Sequence, residues 1–192
     1  RCDRLVLAGD HCQLPPTVVS REASAEGFAV SLFERLIDLY GTRVARRLTV
    51  QYRMNQAIME FSSREFYEGQ LVADGSVAAH VLADLSGVAA LPLTQSPVEF
   101  LDTAGAGFDE QLEPDGESRM NPLEGALVCR KVQELLDAGV APAGIALISP
   151  YAAQVRLLRE HLDAPGLEID SVDGFQGREK EAVVISLVRS NP

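Results

Sequence analysis

The sequence predicts an α/β fold in which a parallel sheet is covered by helices on both faces. Strand and helix patterns alternate through the last third of the 192 residues, and the strand segments are apolar without interruption, as in sheets buried on both sides. Apolar residues make up 46% of the chain, which is enough for a sizeable core. Disordered, collagen-like and disulfide-stabilised classes do not fit this composition.

The clearest elements lie in the last third of the chain. Asn121, Pro122 and Glu124 form a helix start, because asparagine caps the first turn, proline suits its first position and glutamate its third. Gly139 closes that helix after about residue 138. The sequence also predicts a helix over 151–163 and apolar strands over 145–149, 167–172 and 182–188. Ligands of parallel sheets bind at the carboxyl ends of the strands, so we expect the chemistry in the loops that follow them.

Weaker patterns occupy the first two thirds. Residues 4–8 are apolar and predict a buried strand. Apolar residues at helical spacing predict a helix over 28–40 that ends at Gly41. The remaining predictions are a short strand over 48–50, a helix from 54 to about 67 closed by Gly69, and a weakly alternating strand over 98–101.

The net charge of −11 at first opposes a nucleic-acid partner. Residues 102–124, however, hold seven acidic side chains and one basic one, so over half of the excess lies in one stretch that contains glycine and proline. We expect this stretch to be a mobile, solvated insertion, and the alternative is a docking site for a partner. A positive groove elsewhere is compatible with the composition, since 15 of the 17 basic residues are arginines, which suit phosphate.

Cysteine usage fits a reducing compartment inside the cell, such as the cytoplasm or nucleus. Cys2, Cys12 and Cys129 have no metal-ligand spacing. Cys12 follows Asp10 and His11, but adjacent ligand types on one turn rarely form a metal site, so we expect none. Apolar runs reach only about seven residues, so we expect no membrane partner. The chain begins with arginine and has no signal-peptide pattern, which indicates an excerpt of a longer protein.

Two loops in the first half carry residues suited to phosphate chemistry. In residues 9–16, glycine gives a tight strand exit, two prolines stiffen the loop, and Gln13 is a neutral hydrogen-bonding group for a terminal phosphate or a water. In residues 51–54, Arg53 can bind a phosphate bidentately, and Tyr52 can stack on a base. Taken singly, each loop is more simply an ordinary turn, or a surface arginine beside a core tyrosine.

A third loop, residues 170–179, is the densest in glycine and polar side chains. Two glycines let backbone N–H groups approach a ligand closely. Ser171 and Gln176 are neutral hydrogen-bonding groups suited to a sugar–phosphate backbone, and Glu179 can accept from a ribose hydroxyl. The alternative is a polar turn without a ligand.

Four segments carry a family resemblance through their order: GDHCQLPP at 9–16, LTVQYRM at 48–54, SPYAAQ at 149–154, and residues 171–191. They look like motif III, motif IV, the Ser/Thr-Pro-Tyr segment and motif V of superfamily 1 helicases. The resemblance covers essentially the whole chain and is to the up-frameshift and immunoglobulin mu-binding protein type. Gln-Ala-Ile-Met at 56–59 and Asp-Thr-Ala-Gly at 102–105 bring it nearest to the second of these.

The resemblance implies a RecA-like P-loop NTPase fold and an ATP-driven 5′→3′ helicase on single-stranded RNA or DNA. ATP and Mg²⁺ would lie between two RecA-like domains of one chain. By likeness, Gln13 and Arg53 are catalytic: Gln13 senses the γ-phosphate and Arg53 stabilises charge. Tyr52 stacks on the adenine, and Gly177 and Glu179 complete the nucleotide pocket. The residues implied to face the nucleic-acid strand, or to support those that do, are Tyr151, Gln154, Ser171 and Gln176.

The resemblance also implies a domain boundary. Residues 1–47 would be the tail of the first RecA-like domain, and residues 48–192 would be the second one, truncated before its last motif. No Gly-x-x-x-x-Gly-Lys-Ser/Thr phosphate loop occurs in the sequence. We expect that loop and the magnesium carboxylates to precede Arg1 in a longer parent chain.

Two other functions compete with a simple helicase motor. One is the motor domain of a helicase–nuclease. The other is a non-catalytic RecA-like nucleic-acid-binding module with a decayed ATP site. The presence of Gln13, Arg53 and Glu179 together argues against decay.

The missing phosphate loop leads to a direct prediction. The 192 residues alone should not hydrolyse ATP, because the groups that hold the β- and γ-phosphates and the magnesium ion are lacking. A phosphate-release assay with single-stranded nucleic acid present measures this, and turnover above the buffer rate would contradict it.

Overall fold

The computed structural model describes residues 3–114 and 116–189. Contacts divide the chain into two units, Arg1–Gln51 with Glu60–Val72, and Tyr52–Met59 with Ala73–Pro192. The domain boundary at residue 48 stays a prediction. Three residues singled out in the sequence, Cys2, Ser190 and Asn191, lie outside the described residues.

The first unit is mainly helical. It contains a short helix α1 (Arg21–Ala23), a π-helical turn (Ser24–Phe28), helix α2 (Leu32–Tyr40) and a 3-10 turn (Gly41–Arg43). Helix α2 starts later than the sequence pattern predicts because the Ser31 side chain accepts a hydrogen bond from Glu34 N–H and caps it there. It ends as predicted at Gly41, whose φ of 54° glycine tolerates.

The predicted buried strand over 4–8 is wrong. These residues form no strand, and Val6 is 91% exposed. An apolar run becomes a buried strand only where neighbours hydrogen-bond to it and cover it, and none of the described residues pairs with this one.

A small strand pair borders helix α3 (Gln56–Phe66), which runs through both units. Strand β1 (Val50–Gln51) pairs with β2 (Val72–Ala73), and Val72 N–H donates to Thr49 O over 2.8 Å. After α3 the chain turns at Gly69, whose N–H donates to Ser63 O at 2.8 Å. This is the helix end that the glycine predicted.

The second unit is built on the predicted parallel sheet. Strand β5 (Ile145–Ser149) lies in the centre, between β6 (Glu168–Ser171) and β7 (Ala182–Ile185), and both pairings are parallel. Helices α5 (Pro122–Asp137) and α6 (Ala152–His161) flank the sheet. The α/β prediction is therefore confirmed, with each element within a few residues of its predicted ends.

Both helices cover the same face of the sheet. Ile145 and Leu147 of β5 share one core with residues of α5 and α6, chiefly Val128, Val132, Leu135, Val155 and Leu158. On the opposite face Val183 is 45% and Ile185 is 58% exposed. Ala146 of β5, which lies on that opposite face, is nevertheless fully buried.

The described residues of the acidic stretch contain a strand pair and several ion pairs, which the expectation of a solvated insertion did not include. Strands β3 (Gln111–Leu112) and β4 (Arg119–Met120) form an antiparallel hairpin. Arg156 of α6 donates to both carboxylate oxygens of Glu113, at 2.5 and 2.6 Å. Glu110 accepts from Arg119 at 2.6 Å. Glu110 and Glu113 of this stretch are thus paired with arginines, although the composition suggested that its carboxylates are solvated.

The connections contain only short elements. These are 3-10 turns Leu82–Asp84 and Pro142–Gly144 and helices α4 (Pro92–Gln95) and α7 (Val172–Phe175). The weak strand predicted over 98–101 is wrong, because those residues form no strand. No helix in the described ranges is both long and apolar enough to cross a membrane.

Gly139 is a residue whose replacement should destabilise the fold. Its φ is +99°, and a Cβ there would lie 2.3 Å from the Gly87 carbonyl oxygen. We expect Gly139→Ala to lower the free energy of unfolding by at least about 1–2 kcal/mol, the cost of a left-handed alanine alone. Urea unfolding measures it, with Gly75→Ala, which meets no atom within 4 Å, as control. Equal stability of the two variants would contradict the prediction.

Candidate nucleotide and nucleic-acid sites

In the first unit, Asp10 organises the loop that contains Gln13. Its Oδ1 accepts from Cys12 N–H at 3.0 Å, and its Oδ2 accepts from the Gln13 amide at 2.9 Å and from the Tyr67 hydroxyl at 2.5 Å. Gln13 is exposed and is therefore oriented by Asp10 rather than by packing. The loop presents one fixed amide to solvent.

The protonation states of this cluster follow from those bonds. Burial acts to raise the pKa of Asp10, but hydrogen bonds from Tyr67, Gln13 and the Cys12 backbone outweigh it, so the pKa lies below its usual value. Burial and Asp10 together raise the pKa of Tyr67, which keeps the phenol a donor. Burial and Asp10 also raise the pKa of the Cys12 thiol, which disfavours the thiolate that a metal needs.

Asp10, His11 and Cys12 do place their ligand atoms within 4.8 Å of one another. Both Asp10 oxygens already accept hydrogen bonds from neighbours. The cluster is accounted for by loop structure.

In the second unit, Arg53 and Glu179 meet although 126 residues separate them. Arg53 Nε lies 2.7 Å from Glu179 Oε2, and the two side chains are 62% and 68% exposed. Tyr52 is 68% exposed, so it is not the core tyrosine of the simpler interpretation. The structure thus brings the Arg53 guanidinium and the Glu179 carboxylate together, and the exposed Tyr52 is the neighbour of Arg53 in the chain.

This pair does not lie at the carboxyl end of the sheet, where the sequence argument placed the chemistry. Glu179 precedes β7 by three residues. Its neighbour Lys180 donates to Ala143 O at 2.8 Å, just before β5, and pairs at 3.1 Å with Glu168, the first residue of β6. The loop after β6 returns to the amino ends of the strands before β7 begins, so Glu179 is found there.

The same loop is shaped by its glycines and by Asp170. Ser171 caps α7 by accepting from Gly174 N–H at 3.1 Å, and Asp170 accepts from Ser171 N–H at 2.8 Å. A Cβ at Gly174 would lie 2.4 Å from the Asp170 carboxylate, and Gly177 has a φ of +82°. Gln176 between them is exposed.

The carboxyl ends of β5 and β6 hold Tyr151 and Ser171, both half-buried. Gln154 is fully buried: its amide exchanges hydrogen bonds with the backbone of Asn121 at 2.9 and 3.3 Å and donates to Ser186 at 3.0 Å. Direct contact between Gln154 and a nucleic-acid strand is therefore wrong in this conformation. The supporting role that the resemblance also allowed fits its position.

Some contacts were not predicted. Nothing in the sequence linked Tyr67 to Asp10. The pattern of Asn121 and Glu124 predicted a helix start. It did not predict that both side chains also hydrogen-bond to the backbone of Val188, just beyond β7. The approach of Gln13 to Arg53 stays a prediction.

Residues 28–192 match a family model described as an AAA domain. The chain is 52% identical over its full length to DNA-binding protein SMUBP-2 of Mesocricetus auratus, of which it covers 20%. It is 40% identical, over 98% of its length, to DNA polymerase alpha-associated DNA helicase A of Schizosaccharomyces pombe, of which it covers 29%. It is 38% identical, over 99% of its length, to a regulator of nonsense transcripts 1 homolog of Neurospora crassa, of which it covers 18%.

Removing the Tyr67 hydroxyl should raise the pKa of Asp10 toward its ordinary 3.8, because one bond to the carboxylate is lost. Since the pKa in the folded state lies below the unfolded value, ionised Asp10 stabilises the fold above about pH 4 and loses this effect as the pH falls through the folded pKa. NMR titration of the Asp10 carboxyl in Tyr67→Phe measures the shift. Tyr40→Phe, a half-exposed tyrosine of the same unit, is the control; an unchanged Asp10 pKa in Tyr67→Phe contradicts the assignment.

Proposed function

The chain belongs to the superfamily 1B helicases with an AAA domain, and from this premise we propose that it forms part of an ATP-driven 5′→3′ motor on single-stranded RNA or DNA. It spans about a fifth of the SMUBP-2 relatives, so the remaining motor parts would come from the rest of a longer chain, including a first RecA-like domain. We place such a protein in the cytoplasm or nucleus.

The observation that carries the nucleotide half of the proposal is the exposed Arg53–Glu179 pair. An ion pair between exposed side chains contributes only about 0–1 kcal/mol, so it opens readily. A γ-phosphate offers the Arg53 guanidinium the same bidentate geometry with more charge than a carboxylate. The residues fit the adenine and terminal phosphate of ATP, which with Mg²⁺ supplies the hydrolysable phosphoanhydride.

Each of these residues then has one task. Tyr52 presents its ring to the adenine, Arg53 stabilises the charge that develops on the transferred phosphoryl group, and Glu179 orients Arg53 beforehand and accepts from the ribose. The Gln13 amide contacts the γ-phosphate. Gly177 lets the backbone pass close to the nucleotide.

The nucleic-acid half of the proposal concerns the other end of the same sheet. Tyr151, Ser171 and Gln176 would contact the strand by stacking and by hydrogen bonds to phosphate and sugar. The five residues of β5 separate the two ends by about 13 Å. A rigid, buried strand of this length can transmit a small displacement at the nucleotide to the strand-binding end.

Arg53→Ala in the full-length parent protein tests the proposal. We expect ATP turnover in the presence of single strands to fall about 10³-fold or more, because the charge-stabilising arginine is lost. Affinity for the strand without nucleotide should stay within about twofold, since Arg53 lies at the other end of the sheet. Arg64→Ala, which removes an exposed arginine paired with its chain neighbour Glu65, is the matched control. Turnover within a few-fold of wild type contradicts the role of Arg53.

A further inference from the structure

The chain makes a strained turn at Val188, just beyond β7. Val188 has a φ of +69° and is fully buried, and Arg189 N–H donates to Leu187 O at 2.7 Å. A hydrogen bond across a single residue with positive φ is a γ-turn of the rare, strained type. A β-branched residue is the least suited of all to that conformation.

Two side chains from the start of α5 hold the turn. Glu124 Oε1 accepts from Val188 N–H at 2.9 Å, and Asn121 Nδ2 donates to Val188 O at 3.2 Å. Glu124 also accepts from the Ser186 hydroxyl at 2.6 Å, and Gln154 donates to the same hydroxyl at 3.0 Å. Strained backbone persists where its surroundings over-determine it, and it concentrates at functional sites.

The turn decides where Arg189 points. The side chain of Tyr151, the residue at the carboxyl end of the sheet that faces the strand in our proposal, lies near this guanidinium and helps to raise the pKa of Arg189. Arg189 Nε also lies 2.5 Å from Glu110 Oε2. A left-handed residue immediately before Arg189 sends the chain in a direction that an extended β7 could not take. The arginine therefore reaches Tyr151 because of Val188.

The carboxylate of Glu110 shows that the Arg189 guanidinium lies where an anion is bound. Glu110 is itself held by Arg119 at 2.6 Å, so an anion is already accommodated between two arginines beside Tyr151. A phosphodiester oxygen carries the same charge and accepts the same hydrogen bonds. Arg189 is 44% exposed and open to such an exchange.

We propose that Arg189 binds a backbone phosphate of the single strand next to Tyr151, and that Glu124 and Asn121 are positioning residues that aim it by holding the strained turn at Val188. This rests on the proposed function and adds a phosphate site to it. Glu110 occupies that site until the strand arrives.

The test uses the full-length parent protein and a labelled single-stranded oligonucleotide, with affinity measured by anisotropy at several salt concentrations without nucleotide. Arg189→Ala should weaken binding about tenfold and lower the salt slope by about 0.7, the value for one phosphate contact on a single strand. Glu110→Gln should tighten binding at low salt, since the competing carboxylate is gone.

The double variant separates positioning from general structure. Glu124→Ala should weaken binding, yet add nothing in the Arg189→Ala background, because it acts only through Arg189. Glu134 lies on the exposed side of the same helix, where it pairs with Lys131, so Glu134→Ala should change neither the affinity nor its salt slope. If Glu124→Ala does not fold, Asn121→Ser keeps a helix-capping oxygen but removes the donor to Val188 O and takes its place.

The outcomes distinguish the two proposals. Additive effects of Glu124→Ala and Arg189→Ala overturn the positioning role. Unchanged binding by Arg189→Ala, with wild type binding normally, overturns the phosphate site alone. No binding of single strands by wild type overturns the proposed function and the phosphate site with it.

Discussion

The buried central strand β5 is the constraint on which the second unit depends. Ile145, Ala146 and Leu147 are at most 1% exposed, and β6 and β7 hydrogen-bond to the strand in parallel on either side. A parallel sheet has two chemically distinct ends, and the connections between strands must cross from one to the other. The Arg53–Glu179 pair therefore lies at the amino ends of the strands, and Tyr151 and Arg189 lie at the carboxyl ends.

A second constraint is the polar network under the carboxyl end of β7. A buried carboxylate is costly unless its lone pairs are used, and Glu124 meets this condition with Ser186, Val188 N–H and its place in the first turn of α5. The network joins α5, α6 and the end of β7. Replacing any one of its polar groups by an apolar group would leave a buried partner without a hydrogen bond. It is therefore able to hold Val188 in a conformation that packing alone would not maintain.

The sequence predicted the parts of the fold that local chemistry decides. The Asn121 cap, the end at Gly139, the parallel sheet and the helicase family are all confirmed. The strand over 4–8 failed because burial depends on partners that periodicity does not reveal. The hairpin in the acidic stretch was not predicted, because composition counts charges without showing which of them pair. In the candidate site, Arg53 and Glu179 lie close together, as the family resemblance implied. Their position at the amino ends of the strands could not be predicted, because it depends on the path of the loop through Lys180.

Pairing of charges bears on the objection raised by the net charge of −11, because it places arginines where an anion is already bound. Several arginines already hold a carboxylate: Arg53 with Glu179, Arg156 with Glu113, Arg178 with Glu168, and Arg189 with Glu110. In the proposed complex, a phosphate would replace a carboxylate at such an arginine, so one anion is exchanged for another at the guanidinium. In the proposed complex the released glutamates would repel the strand, which would weaken affinity without abolishing it. For the proposed motor, contacts of this exchangeable kind would allow release of the strand at each step, because tight binding in every state would prevent movement.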